Sequence, residues 1–329
     1  MRCSALVRLR EMKNAFMLDL VKPFVQGGAS MERDIWKRLV AALNRLEPTR
    51  LRNAVYTDRE ILAVFFWAAL HDRPISWACR RSNWPMQAWR RRLPDQSTMS
   101  RRLRRPEIPV LLRRVLSLVQ EDGVDATMLA IIDGKALELS AHTRDPDART
   151  GRGVCGYAKG YKLHVLIDDG WRILAWRVRP LNEAECLVAQ DLLRDAARWS
   201  SPGLAPHTVM LADASYDSNR LHLRAATLGV QMIAPRRKPH LGLASNRTHH
   251  PSRLLSVRIT EGDGAAARMM WIHRERDGIE RYFGTLASSG TGLDHLPTWV
   301  RRLHRCERWV GAKLIIHAAR TRHRRSIAA

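Results

Sequence analysis

The chain has 329 residues, 45% of them hydrophobic, and 56 Lys and Arg against 32 Asp and Glu give it a formal charge of +24. That length holds one large domain or two ordinary ones, each with its own core, while so basic a balance excludes an ordinary cytosolic enzyme and suits a protein that neutralises phosphates. Five cysteines without Cys-x-x-Cys spacing suggest neither a zinc site nor a disulfide framework, and the longest apolar run, residues 61–70, is far below a membrane span, so a protein of a reducing compartment, neither secreted nor membrane-bound, is expected.

Residues 1 to about 55 read as loosely patterned helix with a break at Gly27-Gly28. At residues 57–60 the order Thr-Asp-Arg-Glu is a capping box ahead of the apolar run, which predicts a buried helix beginning near Asp58. A short helix around 75–81 follows, then a linker containing Pro85 and Pro94. Next comes a segment in which Asp95 or Ser97 caps a helix exposing Ser97, Thr98 and Ser100, then Arg101 and Arg102. Residues 80–105 carry nine arginines and one acid, and residues 301–325 eight arginines, one lysine and one acid. Solvated helix faces would intersperse acids among the bases, so nucleic-acid contact is the better reading of both segments. Helix, short helix and polar-start basic helix fit a helix-turn-helix reader, and equally a helical domain that contacts only phosphates. Trp77, Trp84 and Trp89 read as packing residues, because a duplex offers no free bases to stack on.

After a helix over about 110–120, residues 128–133 form a buried strand ending in Asp133, with Gly134 turning the chain. A polar loop over 142–156 leads to strands at 161–167 and 172–178, joined by the hairpin signal Asp168-Asp-Gly170. A helix over 182–199 follows, with Leu187, Leu192, Leu193 and Ala196 on one stripe. A second buried strand, 209–213, ends in Asp213; then come a helix over 218–228 and a strand at 230–234. Three strands, helix, strand, helix, strand is the ribonuclease H order, an α/β fold with a mixed sheet and flanking helices, here behind a helical N-terminal region. Residues 235–270 read as inserted loops with a short strand near 255–259. Helix returns over about 276–286, with Ile279, Phe283 and Leu286 as its core stripe, and again over 298–320, with Trp299, Leu303, Cys306, Val310 and Leu314 at helical spacing. The resulting division is a helical DNA-binding region over 1–122 and a ribonuclease H-like catalytic domain over 123–329, carrying an insertion at about 235–275 and a basic C-terminal helix.

A carboxylate at the carboxyl end of a buried strand stands over the crevice where α/β sheets place their sites. Asp133 and Asp213 both meet this condition, and Glu280 borders the stripe that seats its helix on the sheet. On neighbouring strands the two aspartates can share one magnesium ion, which keeps water and phosphate as its other ligands. A third acid would hold a second ion, and such a pair promotes in-line displacement at phosphorus. Taken singly, each residue has a structural explanation: Asp133 and Asp213 as caps or turn formers, Glu280 as the exposed i,i+4 partner of Arg276. Asp217 reads as the N-cap of the next helix, His249-His250 as exposed loop, and Cys155 as unactivated. With no Gly-rich cradle followed by Lys and Ser or Thr, no nucleotide cofactor is implied.

Five segments in order, Ile132-Asp-Gly-Lys135, Lys159-Gly-Tyr-Lys-Leu-His164, Asn182-Glu-Ala-Glu185, Leu211-Ala-Asp-Ala-Ser-Tyr-Asp217 and Arg276-Asp-Gly-Ile-Glu-Arg-Tyr-Phe283, resemble the DDE transposases of bacterial insertion sequences over about residues 125–290. The Asp95 to Arg102 piece resembles that family's N-terminal DNA-binding region. The resemblance implies a metal-binding catalytic triad of Asp133, Asp213 and Glu280 holding two Mg2+ or Mn2+ ions, with DNA contacts from Arg276, Lys135, Lys162, Arg101, Arg102 and Ser97. It implies cleavage at the ends of a DNA element and joining of 3′ hydroxyls to target duplex by a homodimer or higher synaptic complex, in the bacterial cytoplasm at the nucleoid. Some relatives carry a tyrosine three residues before the arginine and a lysine seven after the glutamate; this chain has His273 and Ala287 there. A nuclease of the same fold without strand transfer, and a non-catalytic DNA-binding derivative, are the alternative readings.

Overall fold

The structure, a computed structural model, describes residues 30–47, 54–85, 92–121, 127–199, 204–241, 243, 248–288 and 292–328. The helical reading of 1–29 with its Gly27-Gly28 break, and Trp89, lie outside the described residues. The chain divides into two compact units, residues 1–122 with 311–329, and residues 123–310.

The helical unit contains α1 (Ser30–Arg45), α2 (Asp58–Leu70), α3 (Ile75–Ala78), a 3-10 turn (Arg81–Asn83), α4 (Gln96–Leu103) and α5 (Glu107–Gln120). The capping box forms at α2: the Glu60 amide donates to Thr57 Oγ1 at 3.3 Å and the Thr57 amide to Glu60 Oε2 at 2.7 Å. Residues 61–69 of this helix are all buried, as an all-round apolar helix must be. Trp36, Trp67 and Trp84 interlock in the core, the last two stacked with ring centroids 4.7 Å apart. The Trp67 and Trp84 indole N–H groups donate to the carbonyls of Asn83 and Ala78, so burial leaves no donor unmet. Asp95 caps α4, accepting from the Thr98 amide at 2.6 Å.

The second unit is built on one sheet of six strands: β1 (Thr127–Glu138), β2 (Arg149–Arg152), β3 (Tyr157–Asp168), β4 (Ile173–Pro180), β5 (Leu204–Leu211) and β6 (Gln231–Ile233). Their order is β2-β3-β1-β5-β6, with β4 also on β3. β1, β3 and β4 pair antiparallel, whereas β1–β5 and β5–β6 pair parallel. With α6 (Glu185–Trp199) between β4 and β5 and α7 (Asn219–Ala226) between β5 and β6, this is the ribonuclease H-like mixed sheet that the pattern predicts, with β2 as an added edge piece.

Both faces are covered, which is why β1 carries consecutive buried residues, Ala130, Ile131 and Ile132. Ala130 and Ile132 pack with Leu192, Leu193 and Ala196 of α6 and with Leu221 and Ala225 of α7. On another core cluster Leu211 and Ile233 meet Ile272 of α9 (Ala265–Ser288).

Several expectations change. Gly134 does not turn the chain: β1 runs on to Glu138, and Gly134 sits within it because a Cβ would meet Lys162 Cδ at 2.9 Å. Residues 255–259 are helix, within α8 (Pro251–Glu261), and α9 begins at Ala265. Pro251 suits a first helical position, and His250 Nδ1 accepts from the Ser252 amide at 3.2 Å. His249 and His250 are therefore half-buried parts of a helix start, not exposed loop. On α6, Leu187 is exposed and Val188 and Ala189 are buried; on α9, Tyr282 is fully buried and Phe283 only half. The last helix, α10 (Leu303–Ala328), starts after Trp299, because the Asp145 and Asp147 carboxylates accept from the Arg302 and Leu303 amides. No helix among the described residues is long and apolar enough to cross a membrane.

Candidate active site

The last parallel pair of β1 and β5 is Ile131 with Leu211. Asp133 and Asp213 each lie two residues farther on, so the register brings them level where the two strands part. Asp133 Oδ1 accepts from the Gly134 amide at 2.7 Å, and Asp213 Oδ1 from the Ser215 amide at 2.7 Å, so each carboxylate is aimed by its own backbone. Asp213 thereby caps a 3-10 turn, Ala214–Tyr216.

Burial pushes the Asp133 carboxyl up to about 6; the Gly134 amide and the Arg276 charge pull against this, and the charges of Asp213 and Glu185 add to it. Arg276 is held near the aspartates by α9, whose Gly278 faces β1: a Cβ there would make ordinary contact with Ile131 Cδ1 at 3.8 Å. Buried, with its hydroxyl unmet by any hydrogen bond, Tyr216 lies within the fields of Glu185, Asp133, Asp213 and Arg276. Burial first, and then the three carboxylates, hold its phenol well above the ordinary range.

The residues predicted for the site are distributed unevenly. Asp133, Asp213 and Arg276 come together. Glu280, one turn past Arg276, is exposed, and among the described residues no three His, Cys, Asp or Glu side chains are grouped closely enough to hold a metal ion. Lys162 donates to Glu185 Oε1 at 2.5 Å, and Lys135 lies 3.7 Å from Asp294. In the helical unit Arg101 and Ser97 are exposed, Ser97 Oγ donating to Asp95 at 2.8 Å. Arg102 is not available for contact: its guanidinium is buried against Asp58 Oδ1 at 2.7 Å and the Tyr56 carbonyl at 2.6 Å. Asp217 does not cap α7, since Ser218 does; it forms a two-pronged pair with Arg253 of α8 at 2.7 and 2.8 Å.

Three residues of the cluster carry no role in the sequence reading: Glu185, Ser215 and Tyr216. All three fall within the motif segments at 182–185 and 211–217, the one signal in the sequence that points to them. The Ser215 hydroxyl contacts both Glu185 Oε2 and Asp213 Oδ1.

The donors here are all oxygen, the set that hard divalent cations take. Two carboxylates completed by water and phosphate suit one Mg2+ or Mn2+ ion, and the crowding of negative charge on buried Asp133 is what such an ion would relieve. Asp133 and Asp213 therefore fit one shared cation. This arrangement does not assemble the third carboxylate that a second ion requires.

No curated protein matches this chain. Among solved structures it is similar to a chain of a piggyBac transposase synaptic complex with hairpin DNA, at 12% identity and a TM-score of 0.46, over 95% of this chain and 76% of that one. A family profile described as transposase DDE domain matches residues 125–317. That stretch takes in every strand of the sheet, both aspartates and Arg276 and makes up more than half of the chain, so the protein belongs to the transposase DDE domain family.

Proposed function

We propose that this transposase cleaves DNA at the ends of its own element and joins the 3′ hydroxyls to a target duplex at the Asp133–Asp213 site. The observation that carries the reading is the level placement of these two carboxylates beyond the last parallel pair of β1 and β5. Asp133 and Asp213 would hold a divalent cation, with Glu280 as the third acid of the set. When bound, the ion supplies charge that stabilises the attacking and leaving oxygens of a phosphodiester.

The chain's own residues bind and orient. Arg276 offers a guanidinium beside the aspartates that can take a phosphate oxygen. Lys135 lies two residues past Asp133 on the same strand and offers a second cation. In this reading the exposed face of α4, with Ser97 and Arg101, meets the duplex of the element end, and two copies bring two ends together in the cytoplasm at the nucleoid.

The test uses supercoiled plasmid carrying the DNA that flanks the coding sequence, with Mn2+ or Mg2+ added. Asp133→Asn and Asp213→Asn are expected to abolish nicking and joining while still binding the same DNA in chelator. Undiminished cleavage by either variant would sink the assignment. Nicking without joined product would instead favour the nuclease reading.

A further inference from the structure

A carboxylate other than Glu280 is linked to the aspartates: Glu185 shares the Ser215 hydroxyl with Asp213. We infer that Glu185 is a positioning acid of the cation site, tied to Asp213 through the Ser215 hydroxyl and paired with Lys162. This rests on the site reading above and extends it to a residue of the opposite sheet face.

Glu185 opens α6, the helix packed against the Ala130 and Ile132 side of β1. Its two oxygens are both engaged, Oε1 by the Lys162 ammonium at 2.5 Å and Oε2 by Ser215 Oγ. The same Oγ lies 2.5 Å from Asp213 Oδ1. A serine hydroxyl has a single proton to donate, so it satisfies only one of these two carboxylates at a time. The other oxygen faces a lone pair, a position that a cation relieves. A second, independent sign is the Tyr216 hydroxyl, fully buried, without a hydrogen-bond partner and lying in the fields of Glu185, Asp133 and Asp213.

Lys162 belongs to the same device. It lies on β3 opposite Ala136, and the bare Gly134 leaves room for its stem to cross beside β1, since a Cβ there would meet Lys162 Cδ at 2.9 Å. A side chain at position 134 would require the Lys162 stem to shift. Lys162 thus neutralises Glu185 from one side, and Ser215 links it to Asp213 from the other.

The inference is tested by titrating Mn2+ into the full-length, DNA-free protein and following free Mn2+ by electron paramagnetic resonance, with thermal melting in chelator alongside. Glu185→Gln is expected to weaken Mn2+ binding by roughly tenfold or more, the scale on which supporting groups around a metal act, and Glu185→Asp to recover part of it. Lys162→Gln is expected to move the affinity the other way, because it unmasks the Glu185 charge. Wild-type Mn2+ affinity in Glu185→Gln overturns the inference, and should that variant not fold, an unchanged or weakened affinity in Lys162→Gln overturns it. Asp133→Asn separates the two levels. If it loses Mn2+ binding while Glu185→Gln keeps it, only the role of Glu185 fails; if Asp133→Asn binds as wild type, the site itself fails.

Discussion

Arg101 and Arg102 are neighbours with the same chemistry, and the structure gives them opposite duties. Arg102 is buried against Asp58, which Arg105 also reaches at 3.0 Å, and the group ties α4 to the start of α2. Truncating one partner leaves the other charge buried and unmatched, a loss of about 3 kcal/mol or more. Arg101 projects into solvent, where a substitution costs within about 0.5 kcal/mol. Arg102→Ala should therefore lower the melting temperature of the protein markedly and carry DNA binding down with it. Arg101→Ala should melt as wild type, bind DNA more weakly, and reduce the salt slope of binding by about one. Melting curves and a salt series on the two variants decide the matter; equal melting temperatures would refute the burial argument. Charge patterning finds both arginines and cannot tell them apart, since what separates them is Asp58, 44 residues away from Arg102.

At the scale of elements, α8 shows where sequence reading fails and why. Its buried stripe is Ser252, Ser256 and Thr260, while Leu254 and Leu255 face outward at 41% exposure each, so hydrophobic periodicity points to the wrong face. The stripe is polar because it completes β6: Ser256 Oγ accepts from the Ala234 amide at 3.0 Å and donates to the Ala234 carbonyl at 3.1 Å. β2 is missed for a different reason, being a four-residue edge strand with an arginine at each end. β1, β3, β4, β5 and α6 are legible because each buries a run or stripe of apolar residues, and Asp133 and Asp213 are legible because they follow such runs. Glu185 is not, because its meaning lies in Lys162 and Ser215, 23 and 30 residues away.

The same helix is fastened to the sheet unit by Asp217 and Arg253, beside which His222 of α7 is fully buried with both ring nitrogens unmet, Nε2 lying 3.8 Å from Asp217. Burial lowers the His222 pKa to about 4; Asp217 opposes this and Arg253 and His250 reinforce it. A histidine that stays neutral in the fold but protonates when unfolded favours unfolding as pH drops, so its cost is absent above about 6.5 and grows down to about 4. His222→Leu, which fills the site without titrating, should flatten the fall in melting temperature between pH 6.5 and 4 relative to wild type. Parallel curves for the two proteins across that window would show that His222 does not couple to folding.

For the whole molecule the count of 56 lysines and arginines overstates what a DNA duplex can use. Arg102 and Arg105 are committed to Asp58, Arg253 to Asp217, Arg172 to Asp168, Arg177 to Asp195 and Lys162 to Glu185, each within its own unit. Cations held this way neutralise protein carboxylates and release no counterions from phosphate. The cations left for DNA are those of exposed positions such as Arg101 on α4 and Arg104 at its C-terminal cap. Each phosphate neutralised contributes about 0.9 to the slope of log affinity against log salt, and six to ten contacts lower affinity by about a thousandfold to a hundred-thousandfold between 50 and 200 mM. Binding of the full-length protein to a duplex of the flanking DNA, in chelator, should fall within that range. The slope should nonetheless stay far below what 56 lysines and arginines acting independently would produce. A nearly flat response would contradict a phosphate-dominated interface. A slope well above ten would contradict an interface of six to ten phosphates, because each further unit of slope requires about one more cation on the duplex.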